Sequence, residues 1–322
     1  MIFPVLLRHF PVPSSPVCLG AVDSHGIHVS SRQRGLFGVE LMGRRRNLQG
    51  LRTVITGASQ GIGRALAIEG VRRGMTVVAQ ARSADLLELL QNEVAGMNLS
   101  GSLRVVTGDV TNEEDRQAIA TLCLRELGGL DVLVNNAGIG ATGHFVEGDA
   151  ERLRKIFEVN VFGLAETIRT LLPLLKLGNQ AQVINIGSIV GERAFPARAD
   201  YSSSKFAVHA LSDGLRSELA KDQVDVLMVA PGLTQTNFSQ NMLEQGAKVQ
   251  LDHMRGMTSE EVAAAVWNAS ARGKDRVFLT RQGRLLLWIN MLFPWLVDRI
   301  MRKKVRTLFK DEIQASQTPA AV

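Results

Sequence analysis

Arg52-Thr-Val-Ile-Thr-Gly-Ala-Ser-Gln-Gly-Ile-Gly63 is the stretch whose reading decides the fold. The β-branched run ending at Thr56 has the length and make-up of a buried strand. The glycines after it permit a tight turn and a close approach of backbone to a pyrophosphate. The helical pattern that follows offers amide donors and a positive dipole end to phosphate oxygens. Gly57, Ser59, Gln60, Gly61, Ile62 and Gly63 are therefore candidate dinucleotide contacts. A glycine-rich turn alone is weak evidence, but this one is flanked by a strand and a helix.

Outward from this turn the chain alternates apolar strands with amphipathic helices, the signature of a parallel α/β sheet. Strands are predicted over 51–56, 75–80, 103–107, 131–135, 182–187, 225–230 and 276–280. Helices are predicted from the turn to about 73, then over 85–94, about 112–127, 150–176, 201–221 and 259–272. Thr111 with Glu114, and Thr258 with Glu261, read as capping boxes. Residues 233–257 are polar and irregular, which suits a mobile lid. The expectation is one α/β domain over 48–280, a Rossmann-type doubly wound parallel sheet of about seven strands flanked by helices. An extra apolar helical segment follows.

A second stretch carries the chemistry. Ser188 stands at the carboxyl end of the strand over 182–187. A loop with Gly191 and Pro196 leads to Tyr201 and Lys205, which open a helix. Four residues is about one turn, so the two side chains share a face. A free phenol has a pKa of about 10, too high for a good base near neutrality. A lysine one turn away favours the phenolate. A serine hydroxyl on the facing loop can hold a substrate oxygen in reach. Tyr201 is the only tyrosine in the chain, so nothing competes for the phenol role.

With these motifs together the chain resembles the short-chain dehydrogenase/reductase family. The glycine turn has that family's Thr-Gly-x-x-x-Gly-x-Gly form. Asp109-Val110, Asn135-Asn136-Ala137-Gly138, Asn160, Ser188, Tyr201 with Lys205, and Pro231-Gly232 with Thr234 and Thr236 then follow in the family's order. The match covers roughly 51–280. The resemblance implies that Tyr201 is the general acid in reduction and the base in oxidation. It implies that Lys205 lowers the pKa of Tyr201 and binds the nicotinamide ribose. Ser188 would position the substrate oxygen, and Asn160 would hold a water in a proton relay from Lys205. Asp109 and Val110 would contact the adenine, Asn136, Ala137 and Gly138 would lie along the nucleotide, and Pro231, Gly232, Thr234 and Thr236 near the nicotinamide amide. No metal is implied, since the cofactor carries the hydride chemistry.

Cofactor choice follows from charge. Enzymes of this architecture that use NAD place an acid at the end of the second strand for the ribose 2′-hydroxyl. Here that strand ends in Ala81-Arg82, with no carboxylate to repel a 2′-phosphate and a guanidinium able to pair with it. NADP(H) is favoured, with NAD(H) as the alternative. His144, Phe195, Phe238 and Ile189 are candidate pocket residues, although loop polarity and core packing explain them almost as well. His209, one turn beyond Lys205, reads as helix packing.

The ends of the chain differ from its body. The 322 residues carry a net charge of +6, but residues 1–50 contribute +4 and residues 281–310 contribute +7, leaving the rest at −5. A nucleic-acid enzyme would put its positive field over its working surface, so nucleic acid is not an expected partner. Cys18 and Cys123 form neither a disulfide framework nor a metal spacing, which points to a reducing, cytoplasmic compartment. Residues 1–47 hold Pro4, Pro11, Pro13 and Pro16 and no sustained periodicity. They read as a disordered extension or a misassigned start, with Met42 a natural beginning. Organelle targeting by residues 1–41 is the alternative.

Residues 285–297 are nearly all apolar, include Trp288 and Trp295, and are followed by basic residues to Arg306. Thirteen residues is well short of the roughly 20 a bilayer span needs. The segment is either a helix packed on the core or on a twin subunit, or a peripheral membrane contact through 285–306.

The resulting expectation is an NADP(H)-dependent oxidoreductase interconverting a carbonyl and a secondary alcohol. The substrate is expected to be a small molecule, apolar in character, and the enzyme a homo-oligomer. The rivals are a non-catalytic NADP-binding scaffold and a membrane-surface interaction protein.

Overall fold

The computed structural model describes residues 44–236, 238, 242–243 and 256–308. The chain enters the sheet through β1 (Arg52–Thr56), α1 (Gly61–Arg72), β2 (Thr76–Ala81), α2 (Ala84–Ala95), β3 (Ser102–Thr107), α3 (Glu113–Leu122) and β4 (Val132–Asn135). It continues through α4 (Ala150–Phe157), α5 (Leu164–Lys176), β5 (Gln182–Ile186), α6 (Ala199–Glu218) and β6 (Asp225–Ala230). Then come the short β7 (Thr234–Gln235) and β8 (Met257–Thr258), α7 (Ser259–Ala271), β9 (Arg276–Phe278), α8 (Arg281–Leu292) and α9 (Pro294–Leu308). Seven strands form one sheet in the order β3-β2-β1-β4-β5-β6-β9. Its pairs are all parallel. This is the expected doubly wound sheet.

Both faces of the sheet are covered, which is why its central strands read as unbroken apolar runs. Ile55, Val77, Val134, Ile184 and Leu227 pack on one side with α1 and α7. Val54, Leu133, Val183 and Val226 pack on the other with α5 and α6. Trp267 fills the contact between α7 and α1, and its indole N–H donates to the Leu66 carbonyl at 3.1 Å. The strand order reverses between β1 and β4, so their carboxyl ends diverge and open a crevice.

At the opposite, amino-terminal edge of the sheet Asp131 is a hub. Its Oδ2 accepts from the Arg52 backbone N–H at 2.8 Å and from Arg52 Nε at 2.9 Å. Its Oδ1 accepts from the Arg52 guanidinium at 2.7 Å and from the Asn179 N–H at 2.6 Å. Burial raises its pKa, but these hydrogen bonds outweigh burial and the net shift is downward.

Several local expectations are corrected. The helix after β3 is capped by Asn112, whose side chain accepts from the Asp115 N–H at 3.1 Å, and not by Thr111. Thr111 is already engaged, giving its N–H and its hydroxyl to Asp109 Oδ1, both at 2.9 Å. The helix predicted over 150–176 is broken by a π-helical turn at Glu158–Gly163. A π-helical turn at Cys123–Leu127 follows α3 and holds Cys123, whose thiol burial pushes up to about 12. The Thr258–Glu261 capping box is present, with both reciprocal bonds made.

The folded body also begins earlier than residue 48. Arg46 donates from Nε to the Gln180 carbonyl at 2.9 Å and pairs with Asp225, and its own N–H reaches the Ala271 carbonyl at 3.0 Å. The expectations for residues 1–43, and for most of the lid over 233–257, lie outside the described residues. What is described of the lid is its base, where β7 and β8 pair in parallel.

Asp131→Asn keeps the shape of the hub and removes its charge. The expected cost is about 2–3 kcal/mol, below the range for fully buried pairs because Arg52 is partly exposed. A carboxylate with a lowered folded pKa adds stability above its unfolded pKa of about 3.9. That stability is lost as pH falls through the folded value. Urea unfolding should therefore show the wild-type advantage at pH 7 and show it shrinking below about pH 4. An equal gap at pH 3 and pH 7 would contradict this assignment.

Candidate active site

The crevice between the loops after β1 and β4 is a cleft of about 590 Å³. Its floor is made by the turn after β1. Gly57 has φ +66°, and a Cβ there would lie 2.7 Å from the Ala137 Cα. A Cβ on Gly63 would run into the Gly57 carbonyl and the Asn136 amide. Asn136 locks the two loops together: its Nδ2 donates to the carbonyls of Thr56 and Gly57, each at 3.0 Å. Thr56 Oγ1 accepts in return from the N–H groups of Asn136 and Ala137, each at 3.1 Å. The result is a close-packed glycine turn at the start of a twelve-residue helix, the setting a pyrophosphate requires. The residues present thus fit a dinucleotide.

The structure gathers the sequence-predicted residues in this one cleft. Gly57, Ser59, Gln60, Gly61, Ile62, Arg82, Asp109, Val110, Asn136, Ala137, Gly138, Pro231, Gly232, Thr234 and Thr236 line it, together with Ser188, Tyr201 and Lys205. Gly63 and Asn160 do not. Gly63 lies beneath the turn and serves close packing. Asn160 is buried behind the wall: its Oδ1 accepts from the Ile139 N–H at 2.8 Å, and its Nδ2 donates to the Ile139 carbonyl and to Ser204 Oγ, each at 2.9 Å. The π turn that carries Asn160 widens the helix enough to aim the amide at this backbone. In this arrangement Asn160 braces the loop after β4.

Tyr201 and Lys205 lie on α6, with Ser188 at the end of β5. Burial raises the pKa of Tyr201, and the Arg198 cation and a hydrogen bond with Ser188 pull it partly back. Lys205 is itself buried. It donates to the Ile186 carbonyl at 2.9 Å, and its Nζ lies 5.8 Å from the centre of the Tyr201 ring. Burial brings its pKa down to about 8. The cation that draws on the phenol is Arg198, while Lys205 donates to the end of β5.

Sequence reasoning did not single out Arg198, and it read His209 as packing. His209 in fact stands directly behind the serine loop. Its Nε2 accepts from the Ser188 N–H at 3.4 Å, so that nitrogen is unprotonated and Nδ1 carries the hydrogen toward Glu192 Oε1, 2.9 Å away. Glu192 also accepts from Arg276 at 3.2 Å, and Arg276 pairs with Asp213 at 2.5 Å. The hydrogen bond from His209, helped by the Arg276 cation, holds the Glu192 carboxyl below the usual range against the cost of burial. No motif marks this chain of contacts, because its members sit on the β5–α6 loop, α6 and β9. Of the apolar candidates, Phe238 lines the cleft and its ring centre is 5.5 Å from that of Tyr201. Phe195, Ile189 and His144 are not among the cleft-lining residues.

Comparison with known proteins agrees with this geometry. The family model for short chain dehydrogenases matches residues 52–247. The chain is 33% identical over 260 residues to mouse dehydrogenase/reductase SDR family member 7B, covering 79% of this chain and 80% of that one. It is 32% identical over 255 residues to the uncharacterized oxidoreductase YxnA of Bacillus subtilis, covering 78% and 71%. Among solved structures, a short chain dehydrogenase/reductase from Burkholderia phymatum in complex with NAD superposes with a TM-score of 0.71 at 25% identity, covering 78% of this chain and 96% of that one. One from Burkholderia cenocepacia in complex with NADP gives 0.67 at 27%, covering 80% and 99%. The chain belongs to the short-chain dehydrogenase/reductase family and is an oxidoreductase.

The brace behind Ser188 makes a kinetic prediction. His209→Leu removes the acceptor of the Ser188 N–H and the partner of Glu192. It should lower kcat about tenfold through misplacement of the serine, with nucleotide affinity kept. His209→Gln, which can restore the acceptor, should recover part of the rate. A loss of nucleotide binding equal to the loss of kcat would instead mean general loosening of the site.

Proposed function

We propose that the protein uses NADP(H) to interconvert a carbonyl and a secondary alcohol on a lipophilic substrate, with Tyr201 as the proton donor and acceptor. The observation that carries this reading is the meeting of Ser188, Tyr201 and Lys205 in the same cleft as the glycine cradle. The nicotinamide nucleotide, when bound, supplies or accepts the hydride. The chain's own residues do the rest. The Ser188 hydroxyl, which lines the cleft beside the phenol, holds the substrate oxygen next to it. Tyr201 delivers a proton to that oxygen in reduction and removes it in oxidation. Its raised pKa keeps the phenol protonated, the form reduction needs. Lys205, with its Nζ 5.8 Å from the centre of the phenol ring, favours the phenolate by its charge.

Support for NADP(H) over NAD(H) comes from the end of β2. Arg82 is exposed at the cleft rim, and Asp109 lies 3.7 Å from its guanidinium. Ser83 caps α2 without a side-chain hydrogen bond of its own, so a hydroxyl and a helix amino end stand beside the guanidinium. That corner suits a 2′-phosphate. A charge-assisted contact of about 1.5–3 kcal/mol corresponds to roughly ten- to a hundredfold in affinity. NADPH should bind more tightly than NADH by that factor in a fluorescence titration, and Arg82→Ala should bring the two within about threefold. Tyr201→Phe should bind NADPH normally while losing about a hundredfold or more in kcat. Equal affinities for both nucleotides in the wild type would refute the NADP preference, and a fully active Tyr201→Phe would refute the mechanism.

The lipophilic-substrate reading draws on α8 and α9. These helices bury Val297 but leave most of their large apolar side chains uncovered: Trp288 and Trp295 are 61% and 63% exposed, and Leu285, Met291, Leu292 and Phe293 are exposed with them. Arg281, Arg284, Arg299, Arg302 and Lys303 stand on the same two helices. Their acid, Asp298, pairs with Arg193 at 2.5 Å. Among the described residues no helix is long and apolar enough to cross a membrane. Tryptophans with a basic flank suit the surface of an anionic bilayer. A second copy docked face to face would bring these cations near their like, which favours a membrane over a twin subunit on this face. In a flotation assay the protein should rise with vesicles containing phosphatidylserine. Trp288→Ser with Trp295→Ser should abolish flotation and leave turnover of a water-soluble ketone unchanged. Flotation equal for the variant and the wild type would refute the membrane contact.

A further inference from the structure

Arg198 is the N-cap of α6, three residues before Tyr201, and lines the cleft beside Tyr201 and Ser188. Its Nε is buried without a hydrogen-bond partner. Among the described residues no carboxylate pairs with it. The acids closest to it in sequence are committed elsewhere. Glu192 is held by His209 and Arg276. Asp200 is buried against Arg152 at 2.7 Å. Burial pushes the Arg198 pKa down, and the group that draws it up is the Tyr201 phenol.

Arg198 is half-buried with its Nε fully enclosed, and a cation even partly withdrawn from water gains from a paired anion. Among the described residues none supplies the counter-ion, and the side chain lines the cleft that a substrate enters. The nucleotide has other donors for its phosphates: the glycine turn after β1 and Arg82 after β2. Arg198 belongs to the loop after β5, next to the reacting groups. Leu233, Phe238 and Met242 line the same cleft and give it an apolar side.

We propose that Arg198 binds a carboxylate of the substrate, so that the enzyme acts on amphiphilic oxo or hydroxy acids, with the acid group on Arg198 and the hydrocarbon against the apolar wall. This rests on the oxidoreductase reading and narrows its substrate to a class. In reduction a hydride goes to the ketone carbon and the phenol proton of Tyr201 to its oxygen, giving the hydroxy acid and the oxidised nucleotide. The carboxylate takes no part in bond changes. By neutralising Arg198 it also removes the cation that draws on the phenol, which favours the protonated form that reduction uses.

Two measurements test this separately. In the first, decanoate and decanol are titrated by calorimetry into the protein saturated with NADP+. Decanoate should bind at least tenfold more tightly. Arg198→Gln should erase that difference, and Arg198→Lys should keep part of it. Equal binding of acid and alcohol, or a preference that survives in Arg198→Gln, overturns the proposal.

In the second, straight-chain ten-carbon oxo acids with the ketone at successive positions are compared with their methyl esters under NADPH. At least one acid should exceed its ester tenfold in kcat/KM, and the ratio should fall to about one in Arg198→Gln. A ratio that Arg198→Gln leaves unchanged would make the arginine a tuner of Tyr201 and overturn substrate binding. If acids, esters and simple ketones all fail to oxidise NADPH, the oxidoreductase reading itself fails, while the calorimetry still decides the role of Arg198.

Discussion

The amide of Asn136 ties the loop after β4 to the turn after β1, and the cleft depends on that tie. At the carboxyl ends of these strands the sheet stops supplying hydrogen-bond partners, just where the backbone must stay close-packed. The carbonyls of Thr56 and Gly57 would be left orphaned there at a substantial cost. Asn136 answers both with one side chain, and Thr56 Oγ1 answers the N–H groups of Asn136 and Ala137. Neither loop can then move without the other. The glycines belong to the same constraint, since a methyl at Gly57 or Gly63 would occupy the volume that the Asn136–Ala137 segment fills. The phosphate cradle is a by-product of how the two loops satisfy each other.

Around this rigid floor the chemistry is arranged by burial and charge. Lys205 is buried and Arg198 half-buried, and each lies within influence of the phenol, in different ways. Lys205 is anchored on a strand carbonyl. Arg198 has no such anchor. Ser188 is positioned from behind through His209, Glu192 and Arg276, so its placement is referred to β9 at the far edge of the sheet. The site therefore draws on most of the sheet's width, from the end of β2 to β9.

The architecture was legible in the sequence because each strand reads as a short apolar run with a turn signal after it, and each helix shows its own periodicity. The catalytic and nucleotide-binding positions were legible because they cluster in short motifs at strand ends, such as Thr56–Gly63 and Tyr201–Lys205. What was not legible depended on which of several possible contacts a side chain makes. Thr111 looked like a cap because its spacing to Glu114 suits one, yet Asp109, two residues earlier, already holds it. A π turn has no compositional mark, so the long helix over 150–176 concealed the break that points Asn160 at Ile139. His209 and Arg198 looked ordinary because their meaning lies in what surrounds them: a backbone amide behind the histidine, and, among the described residues, no partnering acid for the arginine. The apolar C-terminal helices could be seen in sequence, but whether the core would cover them could not, since that depends on where β9 delivers the chain.

The solitary phenol of Tyr201 gives this protein an unusual optical property. Ionisation of a tyrosine shifts its ultraviolet absorption, and most enzymes mix the signal of one reactive phenol with those of many inert ones. Here the chain contains a single tyrosine, and it stands in the active cleft. A difference spectrum of the native protein thus reports one proton at one place, without labels or substitutions. The charge state of the reacting group can be followed directly as nucleotide, substrate or pH is varied.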